Sequence, residues 1–138
     1  MQSQNYCLSF KGKAIKMRLI NPKDPDHYAI LRKSQQHIRI RIEDMLMAET
    51  YAPIILNERG RTLYDTVYYI PKSDVYVRMH EKPGGRTQCP IKGTAYAWSW
   101  SGISDLAWSY EEPLPQAEIL KDYIAFNLEF ADMVLLCA

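Results

Sequence analysis

The sequence predicts a mainly β (β-rich α+β) fold: a single compact antiparallel β domain carrying one or two short helices. Residues 38–42 read Ile-Arg-Ile-Arg-Ile, with isoleucines on one face and Arg39 and Arg41 on the other, the period-two pattern of a half-exposed strand. Residues 93–101 alternate Ala95, Ala97 and Ser99 against Tyr96, Trp98 and Trp100. Along the rest of the chain, short runs of β-branched and aromatic residues are cut by glycine, proline and small polar residues. At 138 residues, with 47% apolar and 24% charged side chains, the chain is long enough for one core and polar enough to stay dissolved around it.

Taken in order, residues 6–10 and 14–20 flank Lys11-Gly12-Lys13 as a hairpin. The proline-rich stretch 21–26 breaks that pattern. Asp24 can cap a helix with Pro25 in its first position, where the missing N–H costs nothing, so a short helix is predicted over 25–36 with Tyr28, Ile30 and Leu31 inward. Strands follow at 38–42, 45–50 and 52–56, with 57–62 as a turn, then at 66–70, closed by Pro71. Residues 72–74 read as a turn, 74–80 as a further strand and 81–87 as a loop. Residues 93–101 and 105–110 form a strand pair around the turn 101–104. Pro115 opens a second helix to about Tyr123, with Ala117, Leu120 and Ile124 on one face. The apolar stretch 127–137 closes the sheet as a strand inside it. The chain divides into an N-terminal extension, residues 1–36, formed of a hairpin and a short helix, and a small β domain, residues 37–138.

Composition also excludes function classes. A net charge of +1 argues against a nucleic-acid partner, since such domains are usually basic throughout. The basic residues of 11–18 are spaced by apolar ones and read as a solvated strand face. No apolar run reaches the length of a membrane span, and the N-terminus lacks a signal-peptide pattern. Cys7, Cys89 and Cys137 are odd in number and far apart, which fits free thiols and a cytoplasmic location.

Catalysis by Cys89 would need a cation to lower the thiol pKa and a base to take its proton. Arg86 and Lys92 lie three residues to either side, and His80, on the preceding strand, is the nearest base in sequence. The alternative is a small apolar cysteine in the turn before Pro90. Lys92-Gly93 is not a phosphate loop, because the lysine precedes its glycine and Pro90 removes a backbone donor. No paired cysteine or histidine ligands exist, so neither metal nor cofactor is expected. Tyr96, Trp98, Trp100, Trp108 and Tyr110 either build the core or line a pocket for a ring-shaped ligand. Glu111 and Glu112, adjacent on a strand, point to opposite faces and cannot share a site easily.

Three ordered blocks resemble a known family. Residues 67–75 read VYYIPKSDV, residues 87–99 TQCPIKGTAYAWS, and residues 107–126 AWSYEEPLPQAEILKDYIAF. In this order they are similar to the signature blocks of domain of unknown function (DUF) family 427, which also carries a nucleotidyltransferase label. The resemblance spans about residues 37–127. It implies a compact, mainly β domain, of the folded-sheet β-tent type. It marks Tyr69, Pro71, Asp74, Thr87, Cys89, Lys92, Gly93, Trp98, Trp108, Tyr110, Glu111, Pro113 and Pro115 as family positions. No carboxylate pair beside phosphate-binding glycines supports the transferase label.

The expectation is thus a small-ligand-binding β domain. Its pocket would be lined by Tyr96, Trp98, Trp108 and Tyr110, with Lys92, Glu111, His80 and Asp74 as polar contacts and Cys89 at the rim. Two alternatives stay open: an enzyme using Cys89 or Lys92, and an interaction module whose aromatic residues are all core. Self-association through the N-terminal extension is also open.

Overall fold

Residues that alternate in sequence must face two different environments, and this chain supplies one for each face of its main sheet. A computed structural model describes residues 16–136. Its strands are β1 (Lys16–Asn21), β2 (Asp24–Lys33), β3 (His37–Ile42), β4 (Met45–Thr50), β5 (Ile54–Arg59) and β6 (Val67–Pro71). They continue as β7 (His80–Glu81), β8 (Thr87–Cys89), β9 (Gly93–Trp100), β10 (Ile103–Pro113), β11 (Tyr123–Phe126) and β12 (Asp132–Leu136). The large curled sheet runs β1-β2-β5-β6-β11-β10-β9-β7, with β8 also on β9, and a small sheet runs β12-β3-β4. The strand pairs of both sheets are antiparallel. No helix among the described residues is long and apolar enough to cross a membrane.

The two faces of the large sheet bury different sets. One closes over Leu19, Ala29, Leu31, Ile54, Leu56, Tyr69, Ala95, Tyr110 and Ala125, with Ile91 and Leu120 capping them. The other packs Ile70, Leu106, Ile124 and Phe126 against Ile38, Ile40, Met47 and Ala48 of the small sheet. Tyr69 and Ile70, like Ala125 and Ile124, are sequence neighbours that go to opposite cores, as the pleat requires.

The helix expected over 25–36 is instead β2. Asp24 does accept a local hydrogen bond, from the Asp26 N–H at 3.1 Å, but it caps a turn rather than a helix. Ala29 and Leu31 are buried while their neighbours are less so, and β2 is paired on both sides, by β1 and β5, so ladder pairing overrides the local cap signal. Residues 16–33 are therefore part of the large sheet. The hairpin expected around Lys11–Lys13, the basic residues before Lys16, and Cys7 and Cys137 lie outside the described residues.

Other expectations shift in detail. Asn57–Arg59, read as turn, continue β5 because Tyr28–Ile30 pair with them. Of the strand expected at 74–80, only His80 enters a ladder strand. Val75 makes a single bridge to Ala48, and Val77 and Met79 fill the second core instead. The helix opened by Pro115 is a 3₁₀ helix, Pro115–Asp122, irregular at Ala117, and it buries Ala117 and Leu120 together, whereas Ile124, expected on the same face, lies beyond it on β11 and enters the opposite core. A short 3₁₀ turn, Lys72–Asp74, stands where a turn was expected. The closing strand begins only at Asp132, and it lies at the edge of the small sheet rather than inside a sheet.

Gly93 makes the junction between β9 and β10 possible. Its φ of +117° lies in a region closed to ordinary side chains, and a Cβ there would stand 2.5 Å from the Glu112 carbonyl oxygen. The close approach lets the Leu114 N–H donate to the Lys92 carbonyl at 2.8 Å, which fixes the backbone of Lys92. Gly93→Ala is expected to cost about 3 kcal/mol of unfolding free energy or to prevent folding, measured by urea titration. A loss below roughly 0.5 kcal/mol, the ordinary surface range, would contradict this role.

Candidate functional site

Strand parity sorts the residues near Cys89 before any chemistry is considered. Thr87 and Cys89 on β8, Ala95 and Ala97 on β9, and Trp108 and Tyr110 on β10 are each two apart, so each pair shares a face. Ala95, Tyr110, Trp108 and Cys89 all belong to the first core or pack against it. The small alanines facing large rings leave a cleft of about 580 Å³, lined by Gly85, Thr87, Ala95, Ala97, Trp108 and Tyr110. A neighbouring hollow of about 360 Å³ shares Trp108 and Asn127 with it.

Behind Tyr110 lies a buried polar chain. The Lys92 side chain is 8% exposed, and its ammonium donates to Glu58 Oε1 at 3.2 Å, with Glu58 itself 12% exposed. Glu58 Oε2 accepts the His27 Nε2–H at 2.6 Å, and the Asn21 amide donates to His27 Nδ1 at 3.1 Å. The Tyr110 ring presents its face to the Lys92 ammonium, 5.5 Å from the ring centroid. Gln116, on the 3₁₀ helix, donates to the carbonyls of Ile91, at 2.8 Å, and Ile20, at 3.1 Å, and so fastens β1 to the segment before Lys92.

Burial works against the charge on Lys92. It is outweighed by the acidic groups around it, Tyr69, Tyr110, Cys89 and Glu58, and the ammonium pKa is raised above the ordinary lysine value. Lys92 is thus a cation at neutral pH and not a free amine poised for covalent attack. Burial likewise raises the pKa of the Tyr69 and Tyr110 hydroxyls, against the pull of Lys92. Tyr69 is fully buried, and its hydroxyl has no hydrogen-bond partner among the described residues. The Trp108 indole acts on the Tyr69 oxygen but falls short of hydrogen-bond geometry.

The residues expected to form one pocket separate into groups. Trp108 and Tyr110 wall the cleft, and Tyr96 borders it with its ring under the Arg86 guanidinium, 4.0 Å away, and its O–H donated to Glu112. Cys89 and Lys92 belong with the buried cluster behind. Trp98 and Glu111 are on the other face of the sheet. There the Trp98 N–H donates to Ser109 Oγ at 2.8 Å, while Ser109 and Lys72 both donate to Glu111 at 2.5 Å. These two residues line a separate hollow of about 220 Å³ with Val75, Val77 and Met79. Asp74 stands in the Lys72–Asp74 turn near Tyr123 and does not line the cleft.

His80 is not placed to serve Cys89. It pairs with Ser99, whereas Cys89 pairs with Gly93, six positions away along the same strand, or about 20 Å. His27 is bound on both ring nitrogens, and His37 is held by Glu49 at 2.5 Å. Each of the three histidines is thus either engaged or distant. No group of three or more His, Cys, Asp or Glu among the described residues is arranged to hold a metal ion.

Glu58, His27 and Tyr69 were not expected as partners of Lys92. Their ladder positions on β5, β2 and β6 set the meeting, and no local spacing announces it. The cleft alanines were legible as the face opposite Trp98.

Replacing Lys92 by methionine strands the buried Glu58 carboxylate. Lys92→Met should cost about 3 kcal/mol, and adding Glu58→Gln should restore at least half of it, because a neutral pair removes the uncompensated charge. Additive losses in urea titrations would show that the two do not act as a pair. For the tyrosines, a raised folded-state pKa means that the unfolded chain releases its protons first. Their contribution is therefore intact below about pH 10 and lost as pH rises further. Unfolding free energy should be level from roughly pH 7 to 9 and fall above about 10, and Tyr110→Phe should flatten that fall. An unaltered alkaline slope in the variant would contradict the burial of this hydroxyl.

No curated protein matches the chain. A family model described as a domain of unknown function, DUF427, matches residues 30–136, which include most of the sheet, the cleft and Lys92 with Glu58. With that match over most of its length, and with the compact, mainly β domain that the resemblance implied, the chain belongs to the DUF427 family.

Proposed function

We propose that this domain binds a small organic molecule in the cleft between Ala95 and Ala97 on one side and Trp108 and Tyr110 on the other. The observation that carries the reading is that cleft itself. Two small side chains opposite two large rings leave about 580 Å³ open, within the usual range for small-molecule sites. Trp108 and Tyr110 offer flat apolar area at low entropic cost, which suits a ring. The cluster behind Tyr110 supports this by fixing the wall: a buried cation and its carboxylate hold the ring from the far side. Trp98 and Glu111 have no part in this pocket, and no covalent step is invoked.

Thermal-shift screening against aromatic and heterocyclic fragments tests the proposal, since a ligand at 100 times its Kd adds about 2.7 kcal/mol. Ala97→Leu should fold with a similar melting temperature while filling the cleft, and it should abolish the shift. Hits that survive Ala97→Leu, or a screen with no hits, would count against the cleft and favour a protein-interaction role.

A further inference from the structure

The hollow beside Trp98 sets a charge pair against an apolar recess. Trp98 donates to Ser109, which is fully buried, and Ser109 and Lys72 both donate to the same oxygen of Glu111, each at 2.5 Å. Two donors on one oxygen, with the indole behind them, fix the carboxylate before any ligand arrives. Its other oxygen, Oε1, accepts from no group among the described residues. Glu111 is also the one acceptor of Lys72 there, although an ammonium carries three N–H groups. Both side chains line the hollow of about 220 Å³, and its remaining walls are Val75, Val77, Met79, Ile124 and Trp98. A carboxylate, an ammonium and an apolar recess are therefore presented together.

Size and charge decide what fits. The hollow falls below the roughly 300 Å³ at which drug-sized sites begin, so its occupant is small. A lone carboxylate would meet Glu111 as a like charge, and a lone ammonium would meet Lys72 in the same way. A zwitterion avoids both. Its ammonium can lie against Glu111 Oε1 and its carboxylate against Lys72, and it brings no net charge to the pair. The two charges of the pair stand side by side, 2.5 Å apart, so those of the ligand must also be close together. An α-amino acid carries both on one carbon. Going beyond the cleft and independent of it, we propose that this hollow is a second site, for a small apolar α-amino acid. The side chain of that amino acid lies among Val75, Val77, Met79 and Ile124.

Four probes test each part: leucine, leucinamide without the carboxylate, 4-methylpentanoate without the ammonium, and glycine without the side chain. Kd is measured on the full chain by amide NMR titration, which also locates the binding. Leucine should bind about tenfold tighter than leucinamide or 4-methylpentanoate, and at least about tenfold tighter than glycine. Its shifts should centre on Val75, Val77, Met79 and Ile124 and leave Ala95 and Ala97 of the cleft unmoved. In Glu111→Gln, Ser109 still has an oxygen to donate to, while Lys72 loses its counter-charge. The preference should then reverse, with 4-methylpentanoate binding at least as tightly as leucine. A carboxylate serving the fold alone would leave the order of the probes unchanged. No binding of leucine, equal affinity for the first three probes, shifts centred on the cleft, or an unreversed preference in Glu111→Gln overturns the proposal. None of these outcomes bears on the cleft reading, and the wild-type comparison decides even if the variant does not fold.

Discussion

The Lys92–Glu58 ion pair is the constraint on which the site depends. Two charges buried together repay their desolvation only when the geometry is good and the remaining lone pairs are met. Glu58 meets this by accepting from His27 as well, and Asn21 orients His27 from beyond it. The chain of contacts joins β1, β2, β5 and the segment before β9. These elements are far apart in sequence, so the pair can form only when the large sheet is complete. Asn21 and His27 precede the family match at residue 30, yet they finish the shell around its buried lysine.

From Lys92 the rest of the site follows by backbone constraint. Gly93 alone permits the close crossing at Pro113 and Leu114, which sets the start of β9. With that start fixed, parity sends Ala95 and Ala97 to the face of Tyr110, and Trp98 to the face of Ile124 and Glu111. A shift of one residue would put Trp98 into the cleft and close it. The void is thus a consequence of register, and register is anchored at a glycine and a buried cation.

The fold was legible where a segment's own pattern matched its surroundings. Residues 38–42 and 93–100 alternate cleanly because each strand truly divides two environments, and both are strands. Residues 24–33 misled because Asp24 and Pro25 signal a helix start locally, whereas β1 and β5 decide the outcome from outside. Residues 75–79 have strand composition but cross between the sheets without a ladder partner beyond the single bridge at Val75. The site was legible in part for the same reason. Trp108 and Tyr110 share a face two residues apart, so their meeting could be read from spacing. The junction of Lys92 with Glu58, 34 residues away, depends on sheet order and could not. Grouping Glu111 with Tyr110 overlooked that neighbours on a strand diverge, the rule that had already separated Glu111 from Glu112.

The state of the Lys92 ammonium tests the central claim most directly. Nitrogen-15 NMR of the side-chain Nζ, with assignment by comparison to a Lys92→Arg sample, follows its protonation against pH. A buried ammonium held by Glu58 should stay protonated beyond about 10.4, the ordinary lysine pKa, and its protons should exchange slowly enough with water to be seen at neutral pH. A Lys92 that titrates at or below that value, with rapid exchange, would mean that the ion pair does not form and that the cleft wall lacks its support.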